Sequence, residues 1–118
     1  MEALIIVAHG SKVKSSNDEI VDIMLKIKNN IKDENVLVFH AFLELTEPSI
    51  FMALNKAIAE NCKKIKIFPY FLAAGKHVKE DIPCEIKKIK KQYPEIEFTL
   101  LPHIGKCSGI EDMIISNL

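Results

Sequence analysis

The chain contains no tryptophan and no arginine, and all sixteen of its basic residues are lysines. That excludes any mechanism that needs a planar, bidentate guanidinium fork. Glycine is scarce: Gly10, Gly75, Gly105 and Gly109 are the only ones. Their spacing rules out a GxGxxG dinucleotide loop, a Walker phosphate loop and a GxSxG nucleophile elbow. The three cysteines, Cys62, Cys84 and Cys107, form no CxxC pair. They therefore match neither a zinc motif nor a disulfide framework, and read as buried, reduced thiols of a cytoplasmic protein. No apolar run approaches the ~20 residues needed to cross a bilayer. Met1-Glu2-Ala3 has no basic stretch before it, so no signal peptide is expected. Lysines and carboxylates balance to a formal net charge of zero, which gives no global field for nucleic acid. Neither a nucleic-acid nor a membrane partner is expected.

What is present is an ordinary globular balance, 48% hydrophobic and 27% charged, over a length that suits a single domain spanning residues 1–118. Ala3 to Ala8 is a continuous apolar run that reads as a buried strand. Ile20, Ile23, Met24, Ile27 and Ile31 recur at spacings of three and four, the signature of an amphipathic helix. Val36 to Leu45 reads as a second strand. Pro48 is expected to open a second helix, with Ile50, Phe51, Leu54, Ala57 and Ile58 inward and Glu47 at or near its N-cap. Ile65 to Leu72 is a third strand, followed after Gly75 by a helical pattern of Ile82, Ile86, Ile89 and Tyr93, with Pro83 in its first turn. Ile96 to Leu101 is a fourth strand, and Ile110, Met113 and Ile114 suggest a closing helix. The order βαβαβαβα predicts an α/β three-layer sandwich: a four-stranded parallel sheet covered by helices on both faces.

In such sheets ligands bind outside the carboxyl ends of the strands. Those ends carry His9, then Glu44 and Glu47, then Gly75 and His77, then His103, so three of the four histidines fall on one edge. A neutral imidazole can ligate a divalent transition metal or accept a proton, which makes His9 and His77 candidates for either task. Each also has a plainer reading, as a turn residue or an exposed loop residue. Glu47 is a site carboxylate or simply a helix cap, and the side-chain direction of Glu44 depends on strand register. His103 reads as a surface loop residue, and His40, inside an apolar strand, as a satisfied core or interface histidine. Lys12, Lys14, Lys76 and Lys79 flank the two histidine loops, where an acidic substrate would meet them. A small hydrolase using His9 and Ser11 is an alternative, without an acidic partner at triad spacing.

Four segments together resemble the class II chelatases: Ala8-His9-Gly10-Ser11, Glu47-Pro48-Ser49-Ile50, Phe68 to His77 followed by Glu80-Asp81-Ile82-Pro83, and Pro102-His103-Ile104-Gly105. Each is weak alone, but jointly they cover nearly the whole chain in the expected order. The sequence is most similar to the short form called small CbiX. The resemblance implies a chelatase-like fold and insertion of Co²⁺ or Ni²⁺ into sirohydrochlorin, in cobalamin or coenzyme F430 biosynthesis. It also implies a homodimer, with the metal as substrate and no permanently bound cofactor. It implies that His9 and His77 hold the metal and that His9 accepts a proton. Substrate contacts would come from Glu47 and from Leu72, Ala73, Ala74, Gly75, Lys76 and His77. Ala74 departs from relatives that carry His there, which bears on metal preference. Iron insertion for sirohaem, and a non-catalytic metal or tetrapyrrole carrier, remain as alternatives.

Overall fold

A computed structural model of the chain describes residues 1–118 apart from the side chain of His77. The first strand, β1 (Glu2–Ala8), leads into α1 (Lys14–Asn30), then β2 (Val36–Phe42), α2 (Ile50–Ala59) and β3 (Lys64–Pro69). A π-helical turn (His77–Asp81) runs directly into α3 (Ile82–Gln92), followed by β4 (Glu97–Leu100), a short 3-10 turn (Ile104–Lys106) and α4 (Ile110–Ile115). All strands are parallel, in the order β2-β1-β3-β4.

That order follows from the chain. Right-handed crossovers carry β1 to β2 in one direction across the sheet, and β2 to β3 to β4 in the other. Helix α1 is thereby set on one face and α2 with α3 on the opposite one. The direction of winding reverses between β1 and β3, the place where parallel sheets open a crevice at their carboxyl ends. The central strand β1 is buried on both faces: Ile5, Ile6 and Val7 are consecutive and fully covered. Ala3, Ile5 and Val7 join Ile65 and Ile67 of β3, Ala53, Leu54 and Ala57 of α2, and Ile82 and Ile89 of α3 in one core.

The other helical layer is thinner. Helix α1 lies mainly against β2, the outermost strand, and none of its residues is fully buried. Its apolar stripe is present as expected but only half covered. Helix α4 forms where a closing helix was anticipated, yet Met113 and Ile114 do not face a core. They are 54% and 65% exposed, because this helix packs chiefly on the 3-10 turn before it.

Three further expectations need correction. The second and third strands each end three residues early, at Phe42 and Pro69 instead of Leu45 and Leu72. Helix α2 is not opened by Pro48. It begins at Ile50 and is capped by Ser49, whose Oγ accepts a hydrogen bond from the Met52 amide at 3.1 Å. The cysteines are not uniformly buried: Cys62 is, Cys107 is half-buried and Cys84 is exposed. Burial raises the Cys62 thiol above its ordinary pKa. Pro83 does sit in the first turn of α3. It has no N–H to give the Lys79 carbonyl, so the α-helical ladder stops there and the turn before it widens to π geometry. No helix among the described residues is long and apolar enough to cross a membrane.

Because β1 is the strand on which both flanking strands depend, truncating its core should be costly. Ile5→Ala is expected to lower unfolding free energy by about 2–5 kcal/mol in urea titration, with both helical layers lost in one transition.

Candidate functional site

The strand order puts the ends of β1 and β3 side by side, and the residues that follow them build the candidate site. Pairing of β1 with β2 continues beyond the regular strands. The Leu43 amide donates to the Ala8 carbonyl at 3.0 Å, and the Glu44 amide donates to the His9 carbonyl at 3.1 Å. The chain then bends through Leu45, whose φ is +69°, and returns so that the Pro48 carbonyl accepts from the Phe42 amide at 2.8 Å. Residues 43–47 are thus a loop pinned at its base to the end of β2.

This backbone delivers Glu44 to His9. Glu44 Oε1 lies 2.7 Å from His9 Nε2, a charge-assisted hydrogen bond whose two side chains are each about half exposed, 50% and 47%. A pair so open to water contributes little to stability. Its consequence is orientation: an imidazole that donates Nε2–H to a carboxylate carries its lone pair on Nδ1, and its ring is held in one plane. Gly10 makes the approach possible. Its φ is +98°, and a Cβ built on it would stand 2.0 Å from the Glu44 carbonyl oxygen. Any side chain at position 10 would push the loop off β1.

Glu47, the carboxylate favoured by the sequence, is placed elsewhere. It is exposed and lines a separate cleft of about 380 Å³ with Lys12, Lys14, Asp18 and His40, on the α1 side. Glu44 lines a cleft of about 440 Å³ on the opposite side, with Ser49, Phe51, Asp81, Cys84 and Glu85. Glu44, ranked below Glu47 from the sequence, is the carboxylate that the structure pairs with His9. The only signal available was that two acidic residues followed one strand.

Leu72, Ala73, Gly75 and Lys76 are exposed and Ala74 half-buried, in a loop that leaves β3. Leu72 is 76% exposed and Leu45 54%, so two large apolar side chains stand at the same edge of the sheet as His9. The side chain of His77, expected as a metal ligand, lies outside the described residues. Among the described residues no set of three His, Cys, Asp or Glu side chains converges as a metal site, so His9 and Glu44 offer two donors.

His103 is not a surface residue as expected. It is only 8% exposed, because the turn that follows β4 folds back on the β3 loop. His40 agrees with its expectation: it is half-buried, edge-on to Phe42 with ring centroids 5.6 Å apart. Burial, and then the Lys56 ammonium, lower its pKa. Ser11 Oγ accepts from the Val13 amide at 3.0 Å and serves the turn into α1, while His9 Nε2 is engaged with Glu44. Among the described residues no Ser–His dyad for hydrolysis is assembled. Larger clefts of about 550 and 560 Å³ run along the outer flanks of β2 and β4, away from these strand ends.

A strand-end histidine paired to a carboxylate is thus the chemical feature of this sheet edge. The CbiX family model matches residues 3–118. The chain belongs to the CbiX family. It is 44% identical over 85 residues to the sirohydrochlorin cobaltochelatase of Methanococcus aeolicus, covering 70% of this chain and 57% of that protein. It is 32% identical over 118 residues to the sirohydrochlorin ferrochelatase of Priestia megaterium, covering all of this chain and 44% of that one. The chain thus spans about half the length of these relatives. Its fold superimposes on the CbiX protein of Marinobacter aquaeolei VT8 with a TM-score of 0.80 at 25% identity, covering 99% of this chain and 97% of that one. The sirohydrochlorin chelatase SirB of Bacillus subtilis subspecies spizizenii, solved in complex with cobalt, gives 0.86 at 27% identity; 98% of this chain covers 48% of that one.

The contact between Gly10 and the Glu44 carbonyl can be tested without any substrate. Gly10→Ala is expected to destabilise the chain by at least about 1–3 kcal/mol through backbone strain alone. It should also abolish the His9–Glu44 bond, read as a change in the His9 ring chemical shifts by NMR.

Proposed function

We propose that this chain is a sirohydrochlorin chelatase that inserts a divalent metal ion, cobalt in the first instance, into the tetrapyrrole. The observation that carries the proposal is the His9–Glu44 pair at the carboxyl end of β1, in a chain of the CbiX family. Metallation exchanges two pyrrole N–H protons for one M²⁺, so the site must hold an ion and accept protons. The pair suits both. Each donor bonds a divalent ion at about 2.0–2.2 Å, so once Nε2 has given up its proton and the ring N–H sits on Nδ1, opening the 2.7 Å contact to roughly 3 Å lets one ion sit between them. As the metal leaves for the ring nitrogens, His9 can take a proton and remain paired, as imidazolium, with the Glu44 carboxylate.

In this reading His77 is a further metal ligand, and the loop Leu72, Ala73, Ala74, Gly75, Lys76 contacts the macrocycle, with exposed Leu72 against its flat apolar face. Lys12, Lys76 and Lys79, all exposed, meet the peripheral carboxylates; Lys14 shares its charge with Asp18 at 3.1 Å. Glu47, in its separate cleft, is a rim contact to substrate.

Cobalt is supported by the 44% identity to a cobaltochelatase. Iron is a second reading, because ferrochelatases match across the full chain. Nickel remains the third metal to be offered. The deciding assay supplies sirohydrochlorin with Co²⁺, Ni²⁺ or Fe²⁺ in turn and follows the visible spectrum. The chain is expected to accelerate cobalt insertion above the uncatalysed rate, and no acceleration with any metal would refute the chelatase reading. In the same assay His9→Ala should lower kcat about 10²–10⁴-fold, the usual cost of a lost general base. Glu44→Gln should lower kcat more than Glu47→Gln does.

We further infer that two copies act together. The macrocycle is broad, and this sheet presents one narrow edge; chains such as SirB are about twice as long. A self-complementary pair with two-fold symmetry is the simplest way to supply the second half. Light scattering at assay concentration should give twice the monomer mass, and a fully active monomer would contradict the inference.

A further inference from the structure

The turn that follows β4 docks on the loop that follows β3 through backbone hydrogen bonds. The Leu101 amide donates to the Ile67 carbonyl at 2.8 Å and extends the β3–β4 ladder past the regular strand. The chain then turns, and the Gly105 amide donates to the Phe71 carbonyl at 3.0 Å. The turn is tightened from within. The His103 carbonyl accepts from the Lys106 amide at 2.9 Å and from Cys107 Sγ at 3.5 Å. His103 is buried beneath it.

Gly105 sits where the two segments touch. A Cβ built on it would lie 1.7 Å from the Leu72 carbonyl oxygen, 2.6 Å from the Leu72 carbonyl carbon and 3.1 Å from Leu72 Cα. Its φ is not in the left-handed region, in contrast to Gly10 and Gly109. Position 105 therefore requires glycine for space and not for backbone conformation. The obstacle is a main-chain carbonyl, which cannot swing aside as a side-chain tip can. Relief requires the peptide planes of residues 71–73 to move. By contrast nothing lies within 4 Å of a Cβ on Gly75, inside the loop itself, so the tight contact is specific to the docking point.

We propose that Gly105 is a positioning residue: its bare Cα lets the turn after β4 seat on the Leu72 carbonyl and so fixes the loop Leu72–Lys76 at the carboxyl edge of the sheet. The functional half of this proposal rests on the chelatase reading, in which that loop contacts the macrocycle. It divides labour between two glycines. Gly10 sets the His9–Glu44 pair on the β1–β2 side, and Gly105 sets the substrate loop on the β3–β4 side.

The test is Gly105→Ala, read in two ways. Amide hydrogen exchange should speed up at residue 105, whose N–H is held by the Phe71 carbonyl, and the backbone amide chemical shifts of 72–76 should move, while residues 42–44 keep their protection. In the metallation assay the KM for sirohydrochlorin should rise about tenfold or more with kcat changed by less than about threefold, as expected for a displaced binding loop. Cys107→Ala, which only loosens the turn, should move KM the same way by a smaller factor and secures the test if the alanine at 105 prevents folding. Unchanged exchange at 105 together with unmoved amide shifts at 72–76 would overturn the proposal. So would a parallel loss of kcat and KM effect accompanied by faster exchange throughout the sheet, which would mark Gly105 as structural only. If the wild-type chain metallates nothing, the chelatase reading falls, and the exchange and shift pattern still decides whether Gly105 holds the loop.

Discussion

The site depends on a short extension of sheet pairing. Two hydrogen bonds, Leu43 to Ala8 and Glu44 to His9, carry the β1–β2 ladder past the last regular residue of each strand. They set His9 and Glu44 in register, so that one side chain from each meets at 2.7 Å. The extension exists because position 10 lacks a side chain and turns with positive φ. The pairing in turn requires β1 to be immobile. Burial on both faces achieves that, through Ile5, Ile6 and Val7 and the apolar side chains packed on them from the helices. Core packing, strand register, one glycine and one hydrogen-bonded pair thus form a single chain of cause.

Much of this was legible in the sequence, because the underlying signals are collective. A continuous β-branched run such as Ala3–Ala8 has few ways to hide except in the middle of a parallel sheet, and alternation of such runs with helical stripes fixes the topology almost by itself. The carboxyl edge follows from topology alone, so His9 and the β3 loop could be assigned to it before any coordinate was known. What stayed hidden depends on single residues. Between Phe42 and Ser49 the strand period lapses, and the positive φ at Leu45 reverses the chain. No alternation rule can then tell Glu44 from Glu47. Pro48 looked like a first helical residue because its missing N–H suits that position, but the Ser49 hydroxyl is the better cap and took it. His103 was misplaced for another reason. Its burial comes from a long-range docking of two loops, which local polarity does not report.

The two glycines at the site edge differ in kind from those usually found in turns. Gly10 combines a left-handed φ with a close carbonyl, while Gly105 has the close carbonyl only. In both cases a main-chain oxygen occupies the volume of the missing Cβ. Main-chain contacts of this type transmit position stiffly, since a displaced carbonyl takes its whole peptide plane with it. The loops bearing Glu44 and Leu72 are therefore tied to the frame of the sheet by main-chain contacts. The apolar side chains of Leu45 and Leu72 are left exposed.

Under the proposed function, this arrangement bears on how the chain would give up a metal ion. A resident metal is closed in by a full set of ligands and buried; a metal that must be passed on is better held by few donors in reach of water. His9 and Glu44 are both about half exposed, and their mutual attraction is weakened by solvent, so an incoming cation need break only an inexpensive contact to replace it. Leu45 and Leu72, exposed at the same edge of the sheet, would give a flat macrocycle an apolar surface there. A deeply buried pair would have held the ion against transfer. A pair on mobile loops would have lost the geometry that lets one group hold the ion while the other receives the proton. A solvent-weakened pair on a rigid backbone meets both demands, and the rigidity comes from β1, not from the pair.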